Sequence, residues 1–414
     1  MVHISKVRAL SGAAFASLAL LGGGCGGSGD KGGGGGSTGS TTLTIYSSLP
    51  LQGDNRVQSE SVVNGEKLAL QEHGGKVGKF TIKYVSLDDS TAATGKWEPG
   101  ATSSDARKAA QDKSTIAYLG EFNSGATAVS LPILNRSGIL QISPSNTAAG
   151  LTKKSADPAE PDKYYPTGKR TYGRVVPADN IQAAAQVTYM KDNGVRKLYV
   201  LDDKEVYGKG VADAVTADAK KAGIQVVGDE GIDPKAANYR SVGAKIKASG
   251  ADGMFFGGIT ANNAVQLWKD VYAATPNLKM FGPDGVAQSD FTEKLGPSQA
   301  NTFITNPTLP PQLYPPSAQK FFATFKSKYG DDPEPYAIYG YEAMKAALQA
   351  LKNAGDKANC RENVIKGFYA IQDRPSVLGT YSIDADGDTT ITDYGGNRVE
   401  NGKLVFDKVI KAQR

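Results

Sequence analysis

Short apolar runs alternate with amphipathic stretches from Leu43 to Gly282, and the order of the two kinds predicts the class of fold. Leu43 to Ser47, Phe80 to Leu87, Ile116 to Gly120 and Leu140 to Ser143 read as strands. Between them Glu60 to His73, Thr102 to Asp112 and Ala126 to Asn135 carry apolar residues at helical spacing. A second set has strands near Lys197 to Asp202, Gln225 to Val227, Gly253 to Phe256 and Lys279 to Gly282. Its helices lie near Ile181 to Asn193, Lys209 to Ala222, Ser241 to Ser249 and Asn262 to Ala274. Repeated strand–helix–strand order predicts an α/β fold with parallel sheets, each covered by helices on both faces. Two such units in one chain leave a cleft between lobes, where the carboxyl ends of both sheets face each other.

Polar turns interrupt this pattern at informative places. Tyr118 and Leu119 close a run that stops at Gly120, and Ser124 follows at an expected helix N-cap. Ile139 to Ile142 is likewise followed at once by Ser143-Pro144-Ser145-Asn146-Thr147. Two hydroxyl-rich turns at the ends of neighbouring parallel strands make a crevice of N–H groups and hydroxyls, suited to a small carboxylate. In the second set Asp202 to Gly208, Gly257 to Thr260 and Gly282 to Val286 break their strands with glycine and present acids and an aromatic ring. One lobe can hold a carboxylate while the other supplies an anion for an ammonium. That polarity fits an α-amino acid.

The amino terminus changes the picture of where the protein works. Lys6 and Arg8 precede an apolar run from Leu10 to Leu21, too short to span a bilayer, and Gly22-Gly23-Gly24 leads to Cys25. Residues 1–24 are expected to be an export signal, and the junction resembles the bacterial lipobox, which makes Cys25 the expected lipidated residue. Residues 25–42 then form a Gly/Ser/Thr tether with a reach of roughly 20–25 Å. Removing 1–24 takes away two basic residues and no acid, so the net charge falls from +5 to +3. Nearly balanced charge without a basic cluster argues against nucleic acid as a partner. About 370 residues follow the tether, more than one core usually supports. Cys25 and Cys360 are the only cysteines; with Cys25 lipidated, the fold is expected to hold no intrachain disulfide.

Five segments, GEFNSGA, QISPSNTAAGLT, DKEVYGKG, FFGG and FGPDGV, occur in an order and spacing that resemble the type I periplasmic binding proteins of ABC importers, in the leucine/isoleucine/valine-binding branch. The resemblance runs from about Leu43 to the C-terminus. It implies two Rossmann-like lobes joined by a hinge of three crossovers, with 43–168 plus 306–373 in lobe 1 and 169–305 plus 374–414 in lobe 2. It places carboxylate contacts on Ser124, Ser145 and Thr147, a closing ring on Tyr207, and the ammonium's anion on Asp284. Ile259 stands where the family often has an aromatic residue, and Gln52 where the first turn lacks one. The implied protein is a monomeric solute-binding lipoprotein, outside the cell membrane or in the periplasm. It would carry a branched-chain or small neutral amino acid to an ABC permease without any cofactor.

Other chemistries find less support. After processing, His73 is the sole histidine, so His-dependent triads and zinc clusters are excluded. Gly208-Lys209-Gly210 lacks the third glycine of a dinucleotide fingerprint. Asp384-Ala385-Asp386-Gly387-Asp388 hints at calcium, but its glycine comes too early for an EF-hand, and a hairpin turn is expected. Trp97 is expected in a surface loop or at the cleft rim. Asp202, Asp203 and Asp284 could pair as catalytic carboxylates, yet no nucleophile with an orienting base stands beside them. The expectation is therefore a binding protein and not an enzyme. A sensor of the same fold for an amide, urea or aromatic acid is the alternative, and a hydrolase a minor one.

Overall fold

The computed structural model describes residues 41–412. The export signal, Cys25 and nearly all of the tether lie outside the described residues.

The first sheet has the strand order β2-β3-β1-β4-β5-β6. Its members are β1 (Thr42–Leu49), β2 (Lys76–Val77), β3 (Phe80–Asp88), β4 (Thr115–Leu119), β5 (Leu140–Ser143) and β6 (Tyr172–Arg174). All pairs are parallel except β2 with β3. The helices between these strands are α1 (Arg56–Glu72), α2 (Pro99–Gln111) and α3 (Ser124–Arg136). The second sheet runs β15-β14-β11-β10-β9-β7-β8. Its parallel part comprises β7 (Lys197–Asp202), β8 (Gln225–Gly231), β9 (Gly253–Gly257), β10 (Lys279–Gly282) and β11 (Thr302–Asn306). Around it lie α4 (Asp179–Asp192), α5 (Val206–Lys221), α6 (Arg240–Ser249), α7 (Ala264–Ala274) and the short α8 (Ser289–Thr292).

The rest of the chain completes both halves. Helices α9 (Pro316–Tyr329), α10 (Ala337–Ala354) and α11 (Arg361–Tyr369) and the ribbon β12 (Arg374–Ser376) with β13 (Gly379–Tyr381) pack against the first sheet's core. The antiparallel pair β14 (Asp393–Glu400) and β15 (Lys403–Lys411) extends the second sheet past β11.

Burial explains why the strands read as unbroken apolar runs. One face of the first sheet, with Ile45, Ile116 and Ile142, meets α1, α10 and α11, while Tyr46 and Tyr118 on the other meet α2 and α3. In the second sheet Val200 and Phe255 face α4 and α5, and Leu201, Met254 and Phe256 face α6 and α7. A strand buried on both faces has no polar side to alternate with.

The chain passes between the two halves three times, between Arg174 and Asp179, between Asn306 and Pro316, and again before β14. The second passage lies near the expected 306. The first and third run later than 168 and 373, because β6 joins the first sheet and Val377, Tyr381 and Ile383 sit in the first core. One further expectation is corrected: Cys360, buried just before α11, is disulfide-bonded.

Candidate functional site

The two hydroxyl-rich turns of the first sheet are stapled to each other. β4 stops at Gly120, whose φ of 140° and whose position against the Ser48 carbonyl, 2.7 Å from where a Cβ would stand, admit no side chain. The Ser143 hydroxyl donates to the Glu121 carbonyl (2.8 Å) and accepts the Ser145 and Asn146 N–H groups (3.1 and 2.9 Å). The Ser145 hydroxyl donates to the Phe122 carbonyl at 2.9 Å. Ser124 is the first residue of α3 and not its cap; Asn123 holds the cap position. Its hydroxyl oxygen accepts the N–H groups of Thr147 (3.2 Å) and Ala148 (3.1 Å).

These bonds decide which donors face the cleft. Ser145 has its hydroxyl and its N–H engaged within the turns, and the Thr147 N–H is engaged too, so of the backbone or hydroxyl donors expected from these two residues only the Thr147 hydroxyl is not used within the turns. The Ser124 hydroxyl proton remains, since its bonds use the oxygen only. The Thr147 hydroxyl makes no well-formed hydrogen bond. The opening N–H groups of α3 have no intrahelical acceptor, and the helix dipole favours an anion there.

Behind this turn lies a fully buried guanidinium. Arg174 donates from Nε to Asp388 (2.8 Å), from one terminal nitrogen to the Ala148 carbonyl (2.9 Å), and from the other to the Thr152 hydroxyl (2.6 Å). Asp388 ends the acidic DADGD segment, which is a turn closed by an Ile383–Thr389 bridge. The Lys153 ammonium stands 3.0 Å from Asp384 and 3.2 Å from Asp388, so a side-chain cation already occupies the acids that hinted at calcium. Among the described residues no cluster could hold a metal ion.

The second half contributes Tyr207, Ile259 and Asp284. Asp203 organises their turns by accepting the N–H groups of Glu205 (3.1 Å) and Ile259 (3.1 Å) and the Asn262 amide (2.8 Å). Asp284 is 5 % exposed and accepts the hydroxyls of Tyr207 (2.8 Å) and Tyr336 (2.6 Å). Burial raises its pKa, and the two tyrosine bonds oppose the rise. Gly285 beside it has no space for a side chain, since a Cβ would stand 2.5 Å from the Gly258 carbonyl and 2.7 Å from the Tyr207 ring.

Ser124, Ser145, Thr147, Tyr207, Ile259 and Asp284 all line one cavity between the halves. Its volume is about 30 Å³, room for about two waters. The cleft is shut. Gln288 donates to the Asp54 carbonyl at 3.0 Å, Lys96 to Asn262 at 2.9 Å, and Ser289 to Glu334 at 2.9 Å, each bond crossing from one half to the other. Gln52 is not in the lining; its amide is tied to Asp88 at 2.7 Å.

Sequence reasoning missed Tyr336, Phe122, Gln58 and Gln288 in this lining. Tyr336 stacks edge-on against Phe122 (5.8 Å between ring centres) and arrives from the start of α10, outside both sets of strand-end turns. It also missed Asp179, at the first position of α4. Asp179 is 2 % exposed, and neither carboxylate oxygen makes a well-formed hydrogen bond, the Thr147 hydroxyl being the one donor in reach. Its N–H donates to the Thr147 carbonyl at 2.8 Å, which places it directly behind the carboxylate turn. Burial and the nearby Asp284 charge push its pKa up to about 8, against the pull of the Thr147 hydroxyl and Arg174.

Comparison with known proteins follows the same outline. The family model described as periplasmic binding protein matches residues 42–403. An amino acid binding protein of Pseudomonas aeruginosa is 26 % identical over 351 residues, covering 83 % of this chain and 87 % of that one. The Leu/Ile/Val-binding protein BraC3 of Rhizobium johnstonii is 26 % identical, covering 88 % and 93 %. Among solved structures, the leucine binding protein LivK of Thermotoga maritima shares the fold with a TM-score of 0.79, at 21 % identity and coverage of 89 % and 99 %. A solute binding protein of an ABC transporter from R. palustris, in complex with benzoate, has a TM-score of 0.75 at 20 % identity, covering 90 % and 97 %.

Proposed function

The chain belongs to the periplasmic binding protein family, and from that premise we propose that it is an exported solute-binding protein. It would hold a branched-chain or small neutral α-amino acid between its halves and deliver it to an ABC permease. The observation that carries this reading is the charge pattern of the cleft. Asp284 is buried, Asp179 lies close behind, and no lysine or arginine of the described residues lines the cavity. A buried carboxylate without a counter-charge is strongly unfavourable, and a ligand ammonium supplies one. The Ser124 and Thr147 hydroxyls and the start of α3 would take the ligand carboxylate, while Ser145 holds the turn in shape. Ile259, Phe122 and the ring of Tyr207 offer an apolar wall for a neutral side chain.

In this reading the three passages are the hinge, and in the processed protein the sulfur of Cys25, the only other cysteine, is taken by lipid instead of by Cys360, so that the tether anchors a monomer to the membrane's outer face. No helix of the described residues is long and apolar enough to cross a membrane. A thioether to lipid and a disulfide exclude each other at one sulfur, so intact mass of detergent-extracted protein tests the anchor and the state of Cys360 together.

The ligand is tested by refolding the protein to strip bound solute, then calorimetry with leucine, isoleucine, valine and alanine. Their des-amino acids and benzoate serve as comparators. Binding of at least one amino acid, and loss of binding with its des-amino analogue, is expected. Equal affinity for the des-amino acid, or preference for benzoate, overturns the assignment and favours a carrier or sensor of aromatic acids.

A further inference from the structure

Two buried carboxyls stand near each other at this cleft, and only one is provided for. Asp284 receives two tyrosine hydroxyls, whereas Asp179 meets no charged donor and has only the neighbouring Thr147 hydroxyl in reach, with neither oxygen in a well-formed hydrogen bond. The charged and titratable groups that face Asp179 are Asp284, Arg174, Tyr207 and Tyr394. None can neutralise it. Arg174 is already bonded to Asp388, Tyr207 donates to Asp284, and the Tyr394 hydroxyl is turned to the Pro177 carbonyl at 3.2 Å. A carboxylate so enclosed keeps a proton unless a cation arrives, because two anions cannot both ionise cheaply in one dry site.

We infer that Asp179 is the proton-exchanging acid of the cleft, holding a proton in the unliganded protein and releasing it to solvent when a ligand ammonium enters beside Asp284. This rests on the amino-acid reading and adds proton linkage to it. The balance is simple: the Asp179 O–H bond breaks, the proton goes to water or buffer, and the ligand remains an ammonium whose charge offsets the new carboxylate. The ammonium need not touch Asp179. Its charge acts through a poorly screening interior, and the Thr147 carbonyl, which accepts the Asp179 N–H, ties the acid to the cavity wall.

Linkage fixes what will be seen. A group titrating at about 8 is mostly protonated at pH 7, so binding should release close to one proton there and little at pH 9. The dissociation constant should fall about tenfold per pH unit between 6 and 7 and flatten above 8. Calorimetry of an amino acid found to bind, run in phosphate and in Tris, counts those protons. Asp179→Asn should abolish both the release and the pH slope. Separately, carbon-13 titration of aspartate carboxyls in the stripped protein, assigned with Asp179→Asn, should show one carboxyl titrating near 8. A normal Asp179 titration overturns the inference whether or not any amino acid binds. Tight binding with the same observed heat in phosphate and in Tris, meaning no net protons, overturns it while leaving the amino-acid reading intact. If no amino acid binds, that reading fails, and the carboxyl titration still decides whether Asp179 stores a proton.

Discussion

At Asp284 the consequence of a single deletion can be stated closely. Asp284→Ala removes the anion and leaves the Tyr207 and Tyr336 hydroxyls without an acceptor, inside a closed cleft. Breaking one side of a buried charge pair typically costs about 3–5 kcal/mol, so amino-acid affinity should drop by roughly two to three orders of magnitude or more. Ser124→Ala should cost about 1.5–3 kcal/mol of affinity through a lost hydrogen bond to a charged group. The upper end is expected, because the Thr147 and Ala148 N–H groups lose their acceptor as well. Calorimetry with melting curves as a control checks both; near wild-type affinity in a folded Asp284→Ala protein would sink the ammonium assignment. The convergence of six residues on one cavity was legible through the family resemblance, while the residues themselves showed only the glycine- or serine-marked turns at strand ends that carry them. Asp179 was not. In Pro177-Ala178-Asp179 an acid reads as an ordinary helix start, and nothing in sequence says that its oxygens end without a well-formed hydrogen bond. Nor could sequence reveal that Ser145 turns its hydroxyl to Phe122 instead of the cleft.

Among elements, the turn that ends β5 depends on a strand from far along the chain. Arg174 at the end of β6 holds the Ala148 carbonyl, and Asp388 holds Arg174. Asp388→Asn should therefore leave a buried guanidinium without an anion and cost about 3–5 kcal/mol of stability, read from the shift of the urea unfolding midpoint. An unchanged midpoint would mean that the staple contributes nothing. A second element contact has a pH signature. Glu66 on α1 is fully buried against the Tyr84 hydroxyl of β3, and burial pushes its pKa up to about 8. A raised carboxyl stabilises fully below its unfolded value near 4.5, and that stability is lost as pH rises through about 8. Wild-type stability should accordingly fall between about pH 4.5 and 8 and level off above, and Glu66→Gln should flatten the fall; a parallel decline in the variant would assign it to other groups. β1, β3, β4, β5, β7, β9 and β10 were legible to within two residues, whereas β8 runs four residues past the expected Val227 and the parallel strand β11 was not read. β6 is three residues long, and β14 reads DYGGNRVE, with charges and two glycines, so neither carries an apolar run to find.

On the scale of the whole molecule, a cavity of about 30 Å³ is too small for an amino acid, so exchange of ligand requires the halves to part. The bonds that would break are polar, and include Tyr336 to Asp284 inside the cleft as well as Gln288 to Asp54, Lys96 to Asn262 and Ser289 to Glu334. Each of the last three is a single hydrogen bond between partly buried groups, with a net contribution of about 0.5–1.5 kcal/mol, which keeps the open form within reach. Small-angle scattering of the stripped protein should show a larger radius of gyration that falls on adding a saturating ligand; an unchanged radius with binding confirmed in the same sample would count against hinge closure. Of the two tryptophans, Trp268 is buried in the second core, whereas Trp97 lies half-buried on the loop bridged to Ser90. Trp97 rests against Gly125 at the start of α3, where a Cβ would stand 2.7 Å from the indole ring and 3.6 Å from a Glu205 oxygen of the opposite half. Emission colour follows the polarity around an indole, so parting the halves should redden one fluorophore and leave the other silent. The protein thus carries an unlabelled optical gauge of its own cleft, fast enough to time each opening in a stopped-flow cell.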